Sequence, residues 1–128
     1  MILVDTSVLI DSLRNADPKL QQLFITHGAA ICGVIRTEIL YGARDAAHYG
    51  KLVSALASFP QIPIPEDLWD SIGRNLFLLR TNGVTVPYQD VVIATVAIQN
   101  DLELWTRDGQ YMLIRNVLPG LKLFQEPP

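Results

Sequence analysis

Cysteine is nearly absent from this chain, and with it goes all the chemistry that needs paired thiols. A single Cys32, set in the apolar stretch "AAICG", can form no internal disulfide and reads as a buried thiol, so a reducing cytoplasm is the expected setting. The two histidines, His27 and His48, stand apart from any cysteine or second histidine at metal-binding spacing, which leaves no case for zinc. There is no glycine-rich phosphate loop, no serine-centred elbow and no Cys/His nucleophile motif. The longest apolar-looking run, Val91 to Ile98 with Thr95 inside it, falls far short of the roughly 20 residues a bilayer span requires, so no membrane segment is expected. The N-terminus shows no basic region ahead of an apolar stretch, and no secretory signal is expected either. Positive charge is also scarce: 10 basic against 13 acidic residues leave a net charge of -3, which argues against nucleic-acid binding through a broad basic face. Seven of the 10 cations are Arg, whose planar fork suits phosphate, and this softens the objection. Bound metal would soften it further, since one dication takes -3 to -1 and two take it to +1.

What is present fits one domain over residues 1–128. A chain of this length buries about two thirds of the surface that its unfolded form exposes, and 49% hydrophobic with 18% charged residues is the composition of a compact protein. No repeat, low-complexity tract or linker divides it. Ile2, Leu3 and Val4 read as a buried strand that runs straight into Asp5, and Thr6 to about Arg14 as a short helix capped by Asp5 or Thr6. Asp17-Pro18 opens a helix that ends at His27-Gly28. Residues 29–33 form a second buried strand, and helices follow from Val34 and from about Ala46. "PQIPIP" permits only a short strand at Ile62 and Ile64. Residues 66–81 make an amphipathic helix closed by Asn82-Gly83, with Leu68, Ile72, Leu76 and Leu79 inward. Phe77 and Leu78 fall outside that stripe, as surface for a second copy or another partner. A helix from Pro87 to about Ile98, a strand at "LELW", a short helix over residues 110–116 and a strand or extended segment at "LKLF" complete the chain. Nearly continuous apolar strands alternating with helices predict a three-layer α/β/α sandwich around a parallel sheet of four to five strands.

The carboxylates fall on this outline unevenly. Asp5 follows the first strand and Asp108 the fourth, which puts both at the carboxyl edge where open α/β sheets hold ligands. Ile35, Glu38, Ile39 and Gly42 share one helix face, and so do Asp90, Ile93, Ala94, Ala97 and Ile98, so Glu38 and Asp90 point inward with core residues. A buried carboxylate must be paired, neutralised or bound to a metal, and a nearby helix N-terminus contributes only about 0.3 to 1 kcal/mol. Each acid also has a plainer reading. Asp5 and Asp90 could cap helices, Glu38 could pair with Arg36 or Arg44, and Asp108 before Gly109 could be a turn residue. Six other acids, Asp11, Asp45, Asp67, Asp70, Asp101 and Glu103, fall at outward or terminal positions and read as solvated surface.

Four stretches in order, "ILVDTSVLIDSL", "TEILYGAR", "VPYQDVVIATVAI" and "LELWTRDGQYMLI", resemble the PIN-domain family, and within it the small VapC-type toxins of prokaryotic toxin-antitoxin pairs. The resemblance implies a Mg²⁺- or Mn²⁺-dependent endoribonuclease whose acidic site is Asp5, Glu38, Asp90 and Asp108, with Thr6, Ser7 and Thr106 in supporting positions. It also implies a homodimer and a small antitoxin protein that blocks the site. The expected chemistry is hydrolysis of RNA by a metal-activated water, leaving 5'-phosphate and 3'-hydroxyl ends, with oxygen ligands selecting hard dications. Many members carry T-x-D-x-D-F at the last motif, whereas this chain has Gln110 in place of the second acid, so one dication is expected rather than two. Arg107, Arg14 and Arg44 are the candidates to grip RNA phosphate.

Two other classes compete with this one. A non-catalytic or weakly active protein of the same fold could act only through its antitoxin. A receiver-type signalling domain also gathers acids around Mg²⁺, but Asp5-Thr6-Ser7 lacks the paired acids it needs and Pro65-Glu66 is a poor acceptor.

Overall fold

In the computed structural model, which describes residues 1–128, the apolar run Ile2–Val4 forms strand β1, and all three of its residues are buried. Along the chain follow α1 (Thr6–Asn15), α2 (Pro18–His27), β2 (Ala29–Cys32), α3 (Gly33–Tyr41), α4 (Ala46–Ala57) and β3 (Gln61–Ile62). Then come α5 (Leu68–Thr81), α6 (Tyr88–Gln99), β4 (Glu103–Trp105), α7 (Gln110–Val117) and β5 (Lys122–Leu123). The strands make one five-stranded sheet in the order β3-β2-β1-β4-β5, parallel throughout, with seven helices flanking it as an α/β three-layer fold.

β1 lies at the centre, paired on both sides. Leu3 pairs with Ala30 of β2 and with Leu104 of β4, and Val4 pairs with Trp105. The chain builds outward from β1 to β3 and then crosses to β4, so the order reverses between β1 and β4. A crevice opens at the carboxyl ends of strands at such a reversal. The Asp5 amide extends the ladder by one bond, donating to the Trp105 carbonyl at 2.9 Å, and this fixes where β1 delivers its next side chain.

Helix α6 is the axle of the core. Every residue from Val91 to Ala97 is buried, which a helix tolerates only when it is covered on all sides. Its one polar member, Thr95, donates to the Val91 carbonyl at 2.7 Å and accepts from the Asn75 side-chain amide at 3.0 Å, and these two bonds offset the cost of burying the hydroxyl. On β4, Leu104 and Trp105 face opposite sides of the sheet, as strand geometry requires. The Trp105 ring meets Phe24 of α2 edge-on at 5.3 Å and Phe124 at 4.9 Å.

The structure departs from the sequence reading at five points, the first being that β3 takes Gln61 and Ile62 but not Ile64. β2 stops at Cys32 because Gly33 already begins α3. The helix expected from Glu66 starts at Leu68, since residues 65–67 form a turn closed by the Leu68 amide on the Pro65 carbonyl at 2.9 Å. β4 excludes Leu102, whose amide turns back to the Ala97 carbonyl at 2.9 Å after Asp101 takes φ 52. Leu78 is part-buried against the core, so only Phe77, 54% exposed with Arg80 over its ring, remains of the proposed outer apolar pair. No helix is long and apolar enough to cross a membrane.

Candidate active site

Asp5 is the N-cap residue of α1, yet its carboxylate makes no capping bond. The side chain is 5% exposed and held from three directions. Ser7 donates to Oδ2 at 3.0 Å, Thr106 donates to the same oxygen at 2.8 Å, and the Tyr111 phenol donates to Oδ1 at 3.3 Å. Thr106 follows β4 directly, so the sheet register itself brings it beside Asp5. The Arg107 amide donates to the Ser7 hydroxyl at 3.0 Å and the Asp108 amide to the Thr106 hydroxyl at 3.0 Å. Two backbone donors therefore set the hydroxyls that set the carboxylate.

Glu38 sits in the second turn of α3 and has no cation partner. Arg36 is turned away to hydrogen-bond Gln61, and the three ion pairs of the structure lie elsewhere. Its sole hydrogen bond comes from Thr6, which donates to Oε1 at 3.3 Å. Burial and then the charge of Asp5 push the Glu38 carboxyl above its ordinary range.

Asp90 lies in the first turn of α6, and its side chain does not cap that helix. Its Oδ1 accepts from Tyr111 at 3.3 Å, whereas its Oδ2 is buried with no hydrogen-bond partner. Burial first, then the charges of Asp108 and Asp5, push this carboxyl up to about 6, against the opposing pull of the Tyr111 hydroxyl. Asp108 is exposed, and one of its oxygens holds the turn into α7 by accepting from the Gln110 amide at 3.0 Å. Its charge nevertheless reaches Asp90. Asp108, Asp5 and Glu38 thus all act on Asp90, Asp5 acts on Glu38, and none of the four is ion-paired to a cation.

Tyr111 is the residue that reading the sequence for acids overlooked. It is fully buried in the first turn of α7 and spans Asp5 and Asp90 with one hydroxyl. Burial and the facing carboxylates push the phenol far above its ordinary value, so it stays a donor. An aromatic next to Gln110 is visible in the sequence, but only the tertiary fold shows what its hydroxyl meets.

The arginines divide. Arg107 is bound to Asp11 at 2.6 Å and to Glu126 at 2.8 Å, so it is held by two carboxylates rather than free for phosphate, and Asp11 is an ion-pair member rather than plain solvated surface. Asp101 likewise pairs with Lys122 at the surface. Arg14 and Arg44 line a depression of about 610 Å³ between α1 and α4 that reaches Glu38, together with His48 and with Lys51, a cation the sequence reading did not single out. Gln110 is exposed, and the buried Cys32 thiol is pushed up by burial.

No three His, Cys, Asp or Glu side chains stand close enough to hold a metal ion among themselves. Mg²⁺, however, usually takes only one or two carboxylates, keeps several waters and uses substrate phosphate. The bare Oδ2 of Asp90 and the repulsion that Asp5, Glu38 and Asp108 exert on that carboxylate fit such a sparse oxygen site.

The family model described as "PIN domain" matches residues 2–115. Ribonuclease VapC17 of Mycobacterium tuberculosis is 29% identical over 96 residues, which cover 73% of this chain and 72% of that protein. Among solved structures, VapBC2 from Rickettsia felis bound to a promoter DNA fragment superimposes with a TM-score of 0.83 at 18% identity, over 99% of this chain and 100% of that one. A toxin-antitoxin complex from Klebsiella pneumoniae gives a TM-score of 0.70 at 24% identity, over 94% and 95% of the two chains.

Proposed function

The chain belongs to the PIN-domain family, and on that premise we propose that it is the ribonuclease toxin of a toxin-antitoxin pair, an endoribonuclease that uses Mg²⁺ or Mn²⁺ at Asp5, Glu38, Asp90 and Asp108. The observation that carries this reading is the buried, unpartnered Oδ2 of Asp90 inside a cluster of acids with no cation among them. A bound dication would supply Lewis-acid activation of water and neutralise charge building at phosphorus. Asp5 and Asp90 are the ligands the geometry favours, Glu38 faces them from α3, and Asp108 stands at the open side. Thr6, Ser7 and Thr106 orient the carboxylates by donation. Gln110 brings no charge, which favours one dication over two.

RNA would reach Glu38 along the depression that carries Arg14, Arg44 and Lys51, none of which has an anionic partner in the structure. Three unpaired cations in one groove of a chain with net charge -3 are a local exception to its overall sign. Arg107 would serve the site through its backbone amide rather than as a phosphate grip. The likeness to VapC17 and to a toxin-antitoxin complex supports an antitoxin protein as partner, acting in the cytoplasm, and the exposed Phe77 supports a second copy of the chain as another. A receiver-type role is disfavoured by topology, because β3 is an edge strand here and an acceptor after it would stand two strands from Asp5.

The test is cleavage of RNA by purified protein with Mn²⁺ or Mg²⁺. Cutting should stop with EDTA and fall at least about 100-fold in Asp5→Asn and in Asp90→Asn, with far-UV spectra unchanged. Equal cutting by wild type and both variants would mean a contaminating nuclease. No cutting by wild type, with antitoxin binding retained, would favour the non-catalytic binding protein.

A further inference from the structure

We infer that Tyr111 is a positioning residue of the carboxylate site, its one hydroxyl fixing how the Asp5 and Asp90 carboxylates are turned toward a dication. This role deepens the proposed function and rests on its dication. As a core aromatic alone, Tyr111 would gain nothing from its hydroxyl, because a Phe ring fills the same space and a buried hydroxyl without partners is unfavourable. The phenol oxygen lies 3.3 Å from Asp5 Oδ1 and 3.3 Å from Asp90 Oδ1. These are its sole hydrogen-bond partners, so the one hydroxyl proton serves two acceptor oxygens at equal distance.

The hydrogen bonds of the two carboxylates show what that sharing does. Asp5 Oδ2 is taken by Ser7 and Thr106, which leaves Tyr111 as the sole donor to Asp5 Oδ1. Asp90 receives nothing but the Tyr111 bond, and its Oδ2 is bare. The hydroxyl therefore pins one oxygen of Asp90 and turns the other one free, while linking the end of β1 to the start of α6. Without it, two like charges would face each other with no donor between them, and the Asp90 carboxylate could rotate about its last bond. The ring that carries this hydroxyl is itself rigidly placed, since Tyr111 is 0% exposed and the turn that begins α7 is held by Asp108 accepting from the Gln110 amide.

The experiment is Mn²⁺ binding to the full chain without RNA, followed by calorimetry and by the resonance signal of free Mn²⁺. Tyr111→Phe should weaken binding by about 10- to 100-fold, the usual effect of losing a group that orients a metal ligand. Its melt in EDTA should stay cooperative. In an Asp90→Asn background the same substitution should change Mn²⁺ affinity far less, since one of its two acceptors is already altered. Equal Mn²⁺ affinity in wild type and Tyr111→Phe overturns the inference and leaves the dication reading standing. Failure of the wild type to bind Mn²⁺ or Mg²⁺ overturns both. A measurement on the wild type removes dependence on how the variant folds: ring resonances of labelled Tyr111 should shift on saturation with Mg²⁺, and an unchanged spectrum at saturation also overturns the role.

Discussion

Asp90 shows how one residue can be costly to fold and useful to keep. Its carboxyl is pushed from 3.8 up to about 6, chiefly by burial, so the folded chain holds a proton that the unfolded chain releases between those values. The folded state binds more protons in that window, and stability must fall as pH rises through it. Glu38 is shifted the same way, by burial and by Asp5. Glu126 is shifted down, mainly by Arg107, so its contribution is present above its ordinary 4.5 and lost only at lower pH. The dication-free protein should therefore have a higher urea midpoint at pH 5 than at pH 7.5, and Mg²⁺ at pH 7.5 should recover the difference. A midpoint that rises with pH in EDTA would contradict the carboxylate account. At this scale the acids were legible because helical spacing placed Glu38 and Asp90 among core residues. Tyr111 was not, because nothing local distinguishes a phenol that fills space from one that meets two carboxylates. The ion pairs of Arg107 were hidden for a similar reason: its anions, Asp11 and Glu126, are distant in sequence.

Among the elements, the helix starts do the positioning. Asp45 caps α4 by accepting from the His48 amide at 2.7 Å, and the His48 ring in turn accepts from the Arg44 amide at 3.0 Å. This small network sets the start of the helix that carries the basic side of the groove next to Glu38. Asp45→Ala should cost about 1 kcal/mol in urea denaturation, and RNA binding should weaken because Arg44 loses its fixed place. Unchanged RNA affinity would detach the groove from substrate. Asp17 caps α2 in the same manner, accepting from the Lys19 amide at 2.9 Å, and its Asp-Pro signature announced that helix start in the sequence. The ends of β4 and α5 were less legible. Leu102 looked like strand because it is apolar, but the φ of 52 at Asp101 turns its amide back onto α6. Propensity does not register such a turn, since it depends on a carbonyl that the preceding helix leaves open.

For the molecule as a whole, stability concentrates where the strand order reverses. Leu3 is 0% exposed and lies in the strand paired on both sides, whereas Ile62 is part-buried on an edge strand of two residues. Leu3→Ala should cost about 2 to 5 kcal/mol, and Ile62→Ala clearly less, by urea denaturation at pH 5. Equal losses would mean that the core does not centre on β1. The sequence by itself determined the class of this fold, because apolar strands alternating with amphipathic helices can bury their faces only in stacked layers, and it determined which acids face inward. Only the tertiary structure decided that β1 lies in the middle, since register and order arise from pairing between distant segments. The same distant pairing decided the state of the acids. It put Thr106 and Tyr111 on Asp5, tied Arg107 to other carboxylates, and left one oxygen of Asp90 without a partner.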